Sequence, residues 1–135
     1  AADKAQHVHE VIAPALAAGR DVVCDRYVAS SVVYQGVGRG LDVAFLEELL
    51  GWATARLEPD LVVLLEVPDA VMHERLGDDR DRLEALPADF HERVRDGFRW
   101  MATRHHEHWA RVDASGSVDD VAARVAAVVH ERWPA

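Results

Sequence analysis

Residues 21–36 read DVVCDRYVASSVVYQG, and the order of their chemistry decides how the rest of the chain is read. Asp-Val-Val-Cys at 21–24 is rich in β-branched residues and reads as a short buried strand. It ends in adjacent Asp25 and Arg26. Ser30, Ser31, Tyr34 and Gln35 then fall within about two turns of one short helix, where i, i+3 and i+4 neighbours share a face.

Working outward, residues 3–18 carry Ala5, Val8, Val11, Ile12, Ala15 and Leu16 at the spacing of one helical face, and Gly19 stops that helix. Residues 43–57 return to helical period with Phe45, Leu46, Leu49, Leu50, Trp52 and Ala53. Residues 60–67 are nearly all apolar, which suits a strand covered on both faces. Helices are predicted at about 69–76 and 87–108, the second starting near Pro87, a residue favoured in the first helical turn. A last short strand at 110–113 leads through Ala-Ser-Gly to Ser117, a cap for a helix over 118–132. Trp52, Phe98 and Trp109 sit among helix-period apolar residues and are expected to fill the core or a subunit contact. Strands alternate with helices, which implies an α/β layer architecture with a parallel sheet and right-handed crossovers. No internal repeat, low-complexity tract or linker interrupts residues 1–135, so one domain is expected.

At 135 residues and 50% hydrophobic content, a soluble domain of this size buries roughly two thirds of its unfolded surface. The net charge of -9, from 24 acidic against 15 basic residues, argues against a nucleic-acid partner, which needs a basic stripe. A small anionic ligand held by a few arginines fits. Cys24 is the single cysteine and has no internal disulfide partner. That suits a reducing cytoplasm, and its apolar neighbours suggest a buried strand thiol. No apolar run approaches the roughly 20 residues of a membrane span, and no signal-peptide pattern opens the chain.

In parallel α/β sheets, ligands sit beyond the carboxyl ends of the strands. Three such ends are Asp25-Arg26-Tyr27, Glu66-Val67-Pro68-Asp69 and Asp113-Ala114-Ser115. Arg26 offers a planar fork that matches a phosphate, and Asp25 could orient it or face a metal-bound water. On residue types alone an equal reading stays open: an Asp25–Arg26 salt bridge, a capping serine and a solvated tyrosine. His105 and His108, beside His106 and Glu107, stand at the i, i+3 spacing of a chelate, while His7 and His9 point apart. Such histidines on an amphipathic helix are more often solvated, so no metal site is expected.

The stretch DVVCDRYVASSVVYQGVGRGL resembles the signature of the thymidylate kinase family. The resemblance is collinear along the chain: AADKAQHVHEVIAPAL precedes it, and PDLVVLLEVPDAV, DRLE and VDASGSVDDV follow. It implies a nucleoside monophosphate kinase that phosphorylates thymidine monophosphate with ATP and Mg2+, acting as a cytoplasmic homodimer. The implied fold is a three-layer, P-loop NTPase-like parallel sheet in the order 2-3-1-4-5 with helices on both faces. The chain would supply strands 3, 4 and 5, without the N-terminal P-loop strand and strand 2.

By position, the resemblance gives Arg26 the acceptor phosphate. Ser30 and Ser31 would lie near the thymine, and Tyr34 near the deoxyribose, where it disfavours a 2′-hydroxyl, with Gln35 following it. Lys4 stands where the family usually has an arginine facing the thymine, a change that keeps a donor and loses the fork. The lid falls at about 75–84. There Arg80 and Arg82 are the candidates for stabilising the transferred phosphoryl group, with Asp25 as a further catalytic candidate, Arg75 toward ATP and Glu84 as an orienting partner. Ala114 and Ser115, after Asp113, would approach the adenine. A P-loop needs a glycine-rich turn followed by lysine and a hydroxyl. Lys4 is the only lysine and no glycine precedes it, while GVGRG at 36–40 follows a helix and reads as a loop. The expectation is the C-terminal part of a kinase with reduced or no activity alone. The alternative is a non-catalytic module that binds thymidine monophosphate or a protein partner.

Overall fold

Pro14 lies inside the first predicted helix, where it has no N–H to offer the carbonyl one turn back and its ring presses on that carbonyl. In the computed structural model, which describes residues 1–76 and 87–134, the helix passes this point by widening. α1 (Ala2–His7) runs into a π-helical stretch, Val8–Ile12, and resumes as α2 (Ala13–Ala17) with Pro14 in its first turn. Such a wide turn is one of the few ways a helix continues past a proline. Beyond it run α3 (Val28–Ser31), a second π-helical stretch (Val32–Gly38), α4 (Val43–Ala53), β1 (Val62–Glu66), α5 (Asp69–Leu76), α6 (Ala88–Arg104), β2 (Trp109–Asp113) and α7 (Val118–Arg132).

The chain divides into two units: Ala1–Glu58 with Ala88–Phe98, and Pro59–Pro87 with Arg99–Ala135. The first unit is helical in its described residues. Val32 and Val33 are wholly buried, and Val8, Ile12, Leu46, Leu50, Phe90 and Val94 complete its core. Burial of each such side chain contributes about 1.5–3 kcal/mol. Glycines allow the close approach: a Cβ on Gly38 would lie 2.8 Å from Phe90, and one on Gly97 would lie 3.0 Å from Val33. α4 starts at Asp42, whose carboxylate accepts from the Phe45 N–H at 2.9 Å. Thr54, 1% exposed, satisfies its hydroxyl on the Leu50 carbonyl at 2.9 Å.

In the second unit β1 and β2 pair in parallel, from Val62 opposite Trp109 to Glu66 opposite Asp113. The Val62 N–H donates to the His108 carbonyl and the Ala114 N–H to the Glu66 carbonyl, each at 2.7 Å, extending the ladder at both ends. α7 packs on β2. Its start is a reciprocal cap in which Ser117 Oγ accepts from the Asp120 N–H and the Asp120 carboxylate accepts from the Ser117 N–H.

Several expectations are corrected. Residues 21–24 form no strand, because among the described residues only β1 and β2 pair, and a run without a neighbour has neither a ladder nor a surface to bury. Val23 is 100% exposed, and Cys24 is an exposed thiol, not a buried one. The described sheet therefore has two strands in place of the three expected. β1 is not covered on both faces, since Leu65 is 52% exposed, and Trp52, at 78% exposed, is not a core residue. α6 ends at Arg104, so His105 to His108 form a turn beyond it. No helix among the described residues is long and apolar enough to cross a membrane.

Candidate functional site

The turn that leads into α3 is built around Arg26, whose φ of 65° is left-handed. A residue with a Cβ pays of order 1–3 kcal/mol for such a conformation, and residues held this way gather at ligand-binding sites. Cys24 Sγ donates to the Arg26 carbonyl at 3.4 Å. Tyr27 then starts the helix, and its hydroxyl donates to the Leu57 carbonyl at 3.1 Å, anchoring the turn to the end of α4. Burial pushes the Tyr27 phenol above its ordinary pKa.

Two cations stand over two tyrosine rings in this unit. The Arg26 guanidinium carbon lies 5.4 Å from the centroid of Tyr34, and Lys4 Nζ lies 5.9 Å from that of Tyr27. The Tyr34 ring is itself held by Phe90 at 6.2 Å and Phe98 at 6.1 Å, centroid to centroid. A rigid aromatic wall thus presents an exposed guanidinium whose fork of donors suits a phosphate or carboxylate. Asp25 is exposed and does not pair with Arg26 among the described residues, so the local salt bridge left open by residue types does not form.

Ser30, Ser31, Tyr34 and Gln35 are all half-buried along α3 and the π-helical stretch after it. The Ser30 N–H donates to the Tyr27 carbonyl at 3.2 Å. Because the helix widens from Val32, Tyr34 and Gln35 are rotated away from the i+3 and i+4 positions of a regular α-helix. Inserted wide turns of this kind recur at functional sites.

In the second unit, the turn between β2 and α7 gathers Arg75, Ala114 and Ser115. Arg75 Nη2 donates to the Gly116 carbonyl at 2.9 Å. Arg124 Nη1 donates to the Asp113 carbonyl at 2.6 Å and to the Ser115 carbonyl at 2.7 Å. The Asp113 carboxylate accepts from the Ser115 N–H at 2.9 Å, and hydrogen bonds from Ser115 hold the pKa of Asp113 below its ordinary value. Nearby, Glu66 accepts from Arg111 Nε at 2.6 Å and Arg99 Nε at 2.8 Å; Arg111 above all lowers its pKa. Arg80, Arg82 and Glu84 lie outside the described residues.

The sequence alone does not reveal Arg124, the Glu66 cluster or the anchor from Tyr27 to Leu57. Only Arg124 left a signal: it sits two turns into α7, where helical side chains lean back toward the N-terminus and can reach the turn before it. Among the described residues no group of three His, Cys, Asp or Glu side chains could hold a metal ion. Mg2+ on a nucleotide needs only one or two protein carboxylates besides phosphate oxygens. Asp25 is one exposed carboxylate of the kind such an ion uses.

A family model described as thymidylate kinase matches residues 1–125. Among curated relatives, the thymidylate kinase of Synechococcus sp. (strain JA-2-3B'a(2-13)) is 47% identical over 134 residues, covering 99% of this chain and 65% of that protein. The thymidylate kinase of Desulfovibrio desulfuricans is 46% identical over 129 residues, covering 89% of the chain and 59% of the relative. That of Clavibacter sepedonicus is 47% identical over 133 residues, covering 96% and 63%. The chain spans less than two thirds of the length of each of these relatives.

Proposed function

The chain belongs to the thymidylate kinase family, and from that premise we propose that residues 1–135 act as one thymidylate kinase-like domain that binds thymidine monophosphate as phosphoryl acceptor. The observation that carries the reading is Arg26, left-handed at φ 65° and seated on Tyr34. Its fork would grip the acceptor phosphate. Tyr34 would border the sugar, and Ser30, Ser31, Gln35 and Lys4 would meet the base edge or its surroundings.

On the donor side the proposal assigns Arg75, Ala114 and Ser115 to ATP, and Arg80 and Arg82 to the charge that develops on the transferred group. Asp25 would orient the reacting groups. The family reaction would move the γ-phosphoryl of ATP onto the acceptor phosphate, giving thymidine diphosphate and ADP, and such transfers depend mainly on positioning and electrostatics. Mg2+ would neutralise phosphate charge when bound. The residues present would fit it only in part, through Asp25. The proposed fold is the three-layer P-loop NTPase-like sheet, without the P-loop strand and strand 2 in these 135 residues. Proposed with it are a homodimer and a cytoplasmic location.

Residues 1–135 contain a single lysine, Lys4, and no glycine-rich turn followed by lysine and a hydroxyl, which favours a second reading: these 135 residues alone bind thymidine monophosphate and turn it over slowly or not at all. Calorimetric titration tests the acceptor site. Arg26→Ala should weaken thymidine monophosphate binding at least about tenfold, on the order of 1.4 kcal/mol, and an unchanged affinity would remove Arg26 from the role. A coupled ADP-release assay tests the second reading, which turnover near that of a full-length family member would overturn.

A further inference from the structure

The turn between β2 and α7 has nearly all its backbone groups occupied. Its carbonyls at Asp113 and Ser115 accept from Arg124, at 2.6 and 2.7 Å, and that of Gly116 accepts from Arg75 at 2.9 Å. The Ala114 N–H is used on the Glu66 carbonyl at 2.7 Å. The N–H groups of Ser115 and Ser117 are used on the carboxylates of Asp113 and Asp120, at 2.9 and 3.0 Å. Among the described residues this leaves the Ala114 carbonyl and the Gly116 N–H without a partner.

One acceptor and one donor two residues apart complement the pairing edge of adenine, which offers an amino donor beside a ring-nitrogen acceptor. Inosine presents the opposite order. We propose that Arg124 is a positioning residue: by holding the carbonyls on either side of Ala114, it sets the Ala114 carbonyl and the Gly116 N–H for an adenine edge and so gives the donor side its base selectivity. This rests on the proposed function above. Arg124 acts through the backbone and does not touch the nucleotide. Gly116, at φ +93°, is the one residue type that adopts the turn without strain.

The test is amide-resolved NMR on the 135-residue chain, titrated with millimolar adenosine or inosine. In the parent chain the Gly116 amide should respond to adenosine at least about fivefold more strongly than to inosine, the discrimination expected of one matched donor–acceptor pair. Arg124→Met keeps the aliphatic stem and the helix propensity but has no donor, and should bring that ratio close to one. Arg124→Lys, whose ammonium can also donate to two carbonyls, should keep most of it. Thymidine monophosphate binding should stay at the parent level in both variants.

A merely structural role would weaken both nucleosides together and leave the ratio intact, which overturns the proposal. An Arg124→Met chain too unstable to study leaves Arg75→Ala, which frees the Gly116 carbonyl and should lower the ratio in the same sense; an unchanged ratio there also overturns it. A parent chain that binds thymidine monophosphate but does not distinguish adenosine from inosine overturns the role of Arg124 and leaves the acceptor reading standing. A parent chain that binds neither ligand overturns both.

Discussion

Two apolar runs in this chain have similar composition and different fates. Residues 21–24, Asp-Val-Val-Cys, form no ladder, and Val23 is 100% exposed. Val62–Glu66, Val-Val-Leu-Leu-Glu, pairs along its whole length with Trp109–Asp113 and is joined there by a carboxylate bound to two arginines. β-Branched composition supplies only a surface that fits a pleat, and the free energy comes from what that surface meets. β1 has β2 beside it, whereas residues 21–24 have no strand beside them among the described residues.

The contrast can be tested by placing the same charge in each setting. Val112 is 5% exposed and stands opposite Leu65. Val112→Asp would bury a carboxylate without a partner and should cost about 3 kcal/mol or more, read by urea unfolding. A small loss would mean that the paired strand is no better covered than residues 21–24.

Glu66→Gln should have a smaller effect, up to about 1 kcal/mol, because both arginines are substantially exposed and solvent screens the pairs. Arg111 and Arg99 hold the Glu66 carboxyl below its ordinary value of 4.5. The stabilisation is therefore present above that value and is lost as pH falls through the lowered pKa. Thermal melts of the parent chain should weaken over that acid range more than those of Glu66→Gln, and parallel acid limbs would count against the cluster. Val23→Asp should have the smallest effect, within about 0.5 kcal/mol. A loss comparable to that of Val112→Asp would show that another surface covers residues 21–24.

Local chemistry was legible where it needed nothing distant. The helix predicted over 118–132 has those bounds because the Ser117–Asp120 cap is complete within four consecutive residues. α5 likewise has its predicted bounds, Asp69–Leu76. The helix predicted over 87–108 ran too long, since the apolar period does not say that His105 leaves the helical conformation at φ -114°, ψ 34°. In the candidate site, Arg26 and Tyr34 could be named from residue type and resemblance. The left-handed turn at Arg26 could not, because arginine has no preference for that conformation and only the surrounding packing sustains it.

By itself, then, the sequence determined the alternation of helix and strand from residue 43 onward, the parallel pairing of two strands, the Ser117 cap and the resemblance to the family to which the chain belongs. The alternation follows from side-chain period and the Ser117–Asp120 cap from short-range hydrogen bonding, whereas the family was legible only through the resemblance carried by DVVCDRYVASSVVYQGVGRGL and the stretches collinear with it. Only the tertiary structure decided which apolar runs found a partner, that Pro14 and the Val32–Gly38 stretch widen their helices, and that Arg124 reaches the turn before its own helix. Strand partnering depends on atoms far apart in sequence, whose mutual burial and hydrogen bonding cannot be read from local preference, while the wide turns and the reach of Arg124 depend on backbone geometry that residue type alone does not fix.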